Sequence, residues 1–134
     1  MSEIFLKIPN ITSEYNQITE IPLLAFSSTD TLQLTLRFSN ICKKWFCDLQ
    51  LRDVNDAIKL QINGTPLLSF RPLLNAFSNN IPFDLYIVTN DTLNPITENA
   101  FSDGNASDDN GGLFLINQEA KVSIFGQINE YTTI

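Results

Sequence analysis

Thr31-Leu-Gln-Leu-Thr-Leu-Arg-Phe38 and Lys44-Trp-Phe-Cys-Asp-Leu-Gln-Leu-Arg52 are the two stretches whose reading decides the fold. In the first, Leu32, Leu34, Leu36 and Phe38 share one face, while Thr31, Gln33, Thr35 and Arg37 share the other. The second repeats the phase with Trp45, Cys47, Leu49 and Leu51 inward. A period of two is that of a strand with one buried face. Asp53-Val-Asn-Asp56 then turns the chain into a third strand over residues 57–62, closed by the turn pair Asn63-Gly64. The result is a β-meander. Trp45, Leu34, Leu36, Leu49 and Ile62 are expected to be buried together with Leu85 and Ile87.

Outward from the meander, residues 1–19 read as an N-terminal arm and 20–134 as a single β-domain. Ile4, Phe5, Leu6 and Ile8 form an apolar tip on a polar tether, and such a tip packs on its own domain or on a neighbouring subunit. These four residues are therefore candidate contacts, and deleting residues 1–19 is expected to leave the β-domain folded. With Pro22 inside them, residues 21–26 read as an edge strand or the first residues of one. Pro66 and Pro72 forbid a continuous helix between them, with Pro72 placed to open one helical turn. Residues 83–89 alternate, with Phe83, Leu85, Ile87 and Thr89 on one face and Asp84, Tyr86 and Val88 on the other. The apolar runs 113–116 and 121–125 read as closing strands, the second with Val122 and Ile124 together. Residues 90–112 form a long polar connection of the kind used for binding or assembly, with Leu93, Ile96 and Phe101 as its anchors to another chain. Seven or eight short strands and one helical turn predict an all-β, mainly antiparallel domain, a small β-barrel or sandwich.

Composition narrows the function. At 134 residues, 43% apolar with ten phenylalanines, the chain is long enough for one core. Eight Lys and Arg against fifteen Asp and Glu give a net charge of −7, which argues against a nucleic-acid partner. The absence of histidine excludes Ser-His-Asp and Cys-His catalysis. Cys42 and Cys47 form no Cys-x-x-Cys pair and read as structural free thiols. Met-Ser-Glu-Ile-Phe-Leu-Lys lacks the basic and apolar regions of a signal peptide, and no stretch reaches the ~20 apolar residues of a membrane span. The sequons at Asn10, Asn63, Asn90 and Asn105 read as by-products of an Asn- and Thr-rich composition.

Each candidate for chemistry meets a simpler reading. Asp103, Asn105 and Ser107 offer alternate oxygen ligands as calcium loops do. Asp108, however, stands where an EF-hand loop needs glycine, and Phe114 replaces its bidentate glutamate. Asp48, Asp84 and Asp91 could supply paired carboxylates, but Asp48 and Asp84 fall on outward strand faces as solvated groups. Gly111-Gly112 lacks the lysine of a phosphate loop. Trp45, with Tyr86 and Tyr131, could form a platform for sugars, yet its phase with Leu49 and Leu51 assigns it to the core. Phe46 points the opposite way, beside Asp48, and is a candidate contact residue. No catalytic, cofactor-binding or metal-binding residue is assigned, and no cofactor is expected.

Taken in order, several features resemble the small baseplate plug, or hub-associated, proteins of contractile-tailed bacteriophages. They are Ile21-Pro22, Trp45-x-x-Asp48-Leu49, Asn63-Gly64-x-Pro66-Leu67, Leu73-Leu74, Leu85-Tyr86-Ile87, the 91–95 segment and a closing strand ending at Phe125. The likeness covers residues 20–126. A glycine expected before Leu85 is replaced by Pro82-Phe83-Asp84, and the 102–112 insertion is longer and more polar than the pattern. The resemblance implies a non-enzymatic structural component of the virion tail baseplate, present in the host cytoplasm before assembly. Its implied partners are the hub, tail tube, and spike or wedge components, with further copies of itself in the assembly. The alternative from the residues is a β-sandwich module recognising glycans through aromatics or the polar loop.

Overall fold

The alternation in the meander becomes three long strands because each places its branched and aromatic side chains on one side. A computed structural model describes residues 2–90, 96–107, 111–124, 128 and 130–133. β2 (Asn16–Pro22), β3 (Thr31–Ser39), β4 (Lys44–Arg52) and β5 (Ile58–Pro66) form one antiparallel sheet in that order. β1 (Phe5–Lys7), β6 (Asp84–Val88), β7 (Gly112–Ile116) and β8 (Thr132–Thr133) form the other, ordered β6-β7-β1-β8. Among the described residues only the β1–β8 pairing is parallel. Neither sheet closes on itself, so the all-β fold is a sandwich and not a barrel.

The main core lies between the sheets. Leu32, Leu34, Leu36, Trp45, Cys47, Leu49, Leu51 and Ile62 meet Leu6, Ile8, Leu85, Ile87, Leu113 and Leu115 there. Every residue expected to join Trp45 in the core does so. β6 and β7 are buried at all five positions because both of their faces are covered. Tyr86, Val88, Phe114 and Ile116 point away from the first sheet into a smaller cluster with Ala120 and Ile128. Uninterrupted apolar runs such as Leu85-Tyr-Ile-Val88 are the mark of strands buried on both sides.

Besides Leu24–Phe26, a 3₁₀ turn where 21–26 reads as strand, three elements depart from the sequence expectation. Asn63-Gly64 does not end β5. The strand continues to Pro66 while Asp48 alone faces these two residues across β4, a bulge between the Cys47–Thr65 and Leu49–Ile62 pairs. Gly64 adopts φ 71°, the left-handed region that favours glycine, and its N–H donates to Asp48 Oδ1 at 2.7 Å. Residues 121–123 of the closing strand expected over 121–125 are helical instead. In α1 (Gln118–Ser123), Asn117 Oδ1 accepts from the Ala120 N–H, and Val122 is exposed. Phe125 lies outside the described residues.

The third departure is the arm. β1 is an interior strand of its sheet, between β7 and β8, and residues 16–19 open β2. Asn117 fastens the segment, since its Oδ1 accepts from the Ile4 N–H, its Nδ2 donates to the Ser2 carbonyl, and its own N–H donates to Ile4 O. Residues 5–7 and 16–19 are thus strands of the two sheets themselves.

Candidate functional site

The candidate contact residues divide by burial. Leu6 and Ile8 point into the main core, where their apolar surface is already covered. Ile96 and Phe101 are likewise buried, as are Ala100 and Ala106 of the same connection. The connection closes one end of the sandwich. The Trp45 indole N–H donates to Thr97 O at 3.1 Å, and the Phe101 ring meets Trp45 edge-on at 5.2 Å. Leu6, Ile8, Ile96 and Phe101 are therefore core residues and not anchors to another chain; the polar character of the loop concealed four inward apolar positions. Leu93 lies outside the described residues. Ile4 and Phe5 remain half-buried, against the main and the smaller cluster respectively.

Phe46 is half-buried on the outer face of the first sheet, as its phase requires. The Arg37 guanidinium lies over its ring at 5.4 Å while Arg37 Nε donates to Asp48 Oδ2 at 3.0 Å. Burial pushes the Asp48 carboxyl up, but Arg37 and the Gly64 N–H outweigh it and hold the carboxyl below its ordinary 3.8. The support this ion pair gives the bulge is present above that value and fades as pH falls below it. Phe46 and Asp48 are thus committed to Arg37, and Asp48 is a structural carboxylate. The rest of this face is amide-rich, with Gln50 Nε2 donating to Gln61 Oε1 at 3.4 Å.

Asp84 corrects its reading as a solvated group. It is 2% exposed, because α1 and the 70–77 segment cover that face of β6. Its Oδ1 accepts from the Leu74 and Leu85 N–H groups, and its Oδ2 from Lys121 Nζ at 3.0 Å. A pocket of about 370 Å³ opens beside the pair, lined also by Asn117 and Gln118. The two charges satisfy one another there, so the pair ties α1 to the sheet. Asp84→Asn is expected to cost about 2–3 kcal/mol by leaving Lys121 without its counter-charge. Adding Lys121→Met should recover part of that loss in a denaturation series. A double variant no better than the single would contradict this role.

Other candidates resolve into local structure. Asp103 Oδ1 accepts from the Asn105 N–H, and Ser107 Oγ from the Gly104 N–H, so two of the three proposed calcium oxygens stitch a turn. Trp45 is fully buried and presents no face to a sugar. Both cysteines are free, Cys42 exposed and Cys47 buried. Burial, helped by Asp48, pushes the Cys47 thiol up to about 12 against the opposing Thr65 and Arg37 contacts. Its neutral form favours the fold below the ordinary 9.0, and that contribution is lost as pH rises from 9 toward about 12. At pH 8 iodoacetamide should label Cys42 and spare Cys47 in the folded protein. Labelling of both without unfolding would contradict the packing.

What the sequence reading missed lies on the surface. Ile18 in β2 and Ile41 at the tip of the β3–β4 turn are 63% and 95% exposed. The parity of Ile18, opposite to that of the inward Ile21, was the available signal. Among the described residues no group of His, Cys, Asp and Glu is arranged to hold a metal ion. No described helix is long and apolar enough to cross a membrane.

No curated protein matches the chain. A family does: the sequence profile described as cyanophage baseplate Pam3 plug gp18 matches residues 5–107, which run from β1 through β6 and into the loop that closes over Trp45. The match takes in strands of both sheets and more than half of the 134 residues, and the chain belongs to this phage baseplate plug family.

Proposed function

We propose that this protein is a non-enzymatic structural component of a contractile-tail baseplate, packed against the central hub and the tail tube and helping to hold the baseplate closed before contraction. The observation that carries the reading is the family match over residues 5–107, which takes in six of the eight described strands and not one isolated motif. The site chemistry is in keeping with it. Asp48 and Asp84 are consumed by ion pairs with Arg37 and Lys121, and the chain has no histidine to serve as a base. Half-buried Ile4 and Phe5 and exposed Ile18 and Ile41 are among the apolar groups left for neighbours. Affinity-tagged protein expressed during infection should co-purify with hub and tube proteins in fixed proportion. Recovery of the tagged chain free of all tail proteins would overturn the reading.

A further inference from the structure

We propose that the free edge of β2 receives an extended strand from a neighbouring tail protein, one that carries lysine or arginine. This deepens the baseplate reading and rests on it. The argument begins with the ladder. The Phe38 N–H donates to Tyr15 O at 2.8 Å, and Asn16 through Pro22 then pair in unbroken register with Arg37 through Thr31. Antiparallel alternation makes Gln17, Thr19 and Ile21 exchange bonds with β3 and turns the N–H and C=O groups of Asn16, Ile18 and Glu20 away from the sheet. Among the described residues no hydrogen bond reaches those outward groups.

The other sheet edges are protected, each in a different way. β5 carries the Gly64 bulge and Lys59, which is paired with Asp30 at 2.7 Å. β6 is covered by its own chain, where the Phe70 and Leu73 N–H groups donate to Ile87 O and Leu85 O. β8 is two residues long. Bulges, charges, covering segments and short strands are the usual means of preventing a stray strand from pairing. β2 has Pro22 at its end, but from 16 to 20 it offers a straight run with Ile18 exposed at its centre.

The edge also has a shaped approach. A groove of about 480 Å³ runs between β2 and the 9–14 connection. Glu14 and Glu20 line it with no lysine or arginine, and neither carboxylate has a cation among the described residues. A strand docking there gains main-chain hydrogen bonds from Ile18 and Glu20, apolar contact with Ile18, and charge pairing if it brings a cation. A second copy, itself at net −7, would add negative charge to a groove that already lacks positive charge.

Amide exchange tests the pairing at single residues. In the free protein the Ile18 and Glu20 amides should exchange fast while Thr19 and Ile21 are slow. In isolated baseplates Ile18 and Glu20 should slow at least tenfold. Ile18→Pro removes an outward N–H at the parity Pro22 already occupies, so it spares the β2–β3 ladder and should cut incorporation at least tenfold. The Glu14→Lys/Glu20→Lys variant alters only exposed side chains, and should do the same even if the proline variant misfolds. Normal incorporation of this charge-reversed variant would overturn the cationic partner, and crosslinks from β2 to another copy of this chain would overturn the choice of occupant. Wild-type protein present in baseplates with Ile18 and Glu20 still exchanging fast would overturn the strand pairing alone. Absence of the wild-type protein from baseplates would overturn the parent reading and this inference together.

Discussion

Deleting residues 1–19 is expected to abolish the cooperative fold. The cut removes β1 from between β7 and β8, most of β2, and the Leu6 and Ile8 side chains from the core. Each of those two side chains contributes about 1.5–3 kcal/mol by burial alone. The deletion also exposes the paired edge of β7, leaves β8 without its neighbour, and strands the Asn117 amide, which bonds Ile4 and Ser2. Against a total stability of about 5–15 kcal/mol for a domain of this kind, those losses leave no margin. Circular dichroism and the emission of Trp45, the single tryptophan, report the outcome directly. A truncated protein that keeps a buried Trp45 and melts cooperatively would show that β1 is dispensable.

Trp45→Ala is the point substitution with the largest expected effect, about 3–5 kcal/mol. The indole is fully buried, edge-on to Phe38 at 5.4 Å and to Phe101 at 5.2 Å, and its N–H satisfies Thr97 O. Truncation opens a cavity between the Phe38 and Phe101 rings and releases the loop that closes this end of the sandwich. The melting temperature should fall by roughly 10–20 °C. Trp45→Phe, which keeps an aromatic ring but loses the N–H, should cost about 1–2 kcal/mol, near the worth of one hydrogen bond plus some lost area. Equal destabilisation by both variants would contradict the division between packing and hydrogen bonding.

The meander was legible because burial there is one-sided, and a one-sided strand writes its inner face into the sequence at every second residue. Leu32 through Phe38 and Trp45 through Leu51 are all buried in the expected phase. Legibility failed where tertiary context decides. Val122 and Ile124 alternate like a strand, yet Asn117 caps a helix there and Val122 faces solvent. Asp84 has the parity of an outward residue, but outward on β6 means toward α1 and Lys121. Asn63-Gly64 is a turn signal whose glycine serves a bulge, because Asp48 on the neighbouring strand captures its N–H. Leu6 and Ile8 of the apolar tip, and Ile96 and Phe101 of the long connection, fill this chain's own core. Their partners in the core lie far away in sequence, and no local pattern announces such pairing. The family resemblance holds although its closing strand at 121–125 is helical over 121–123, since most of its ordered motifs, from Ile21-Pro22 to Leu85-Tyr86-Ile87, lie within the matched residues 5–107.

Cryo-electron microscopy of intact, uncontracted baseplates tests the proposed role most directly. The expected map contains this two-sheet sandwich at the centre of the baseplate, in contact with hub and tube, with a strand of another tail protein continuing the sheet beyond β2. A map of the complete baseplate in which every protein is assigned and this sandwich has no place would contradict it.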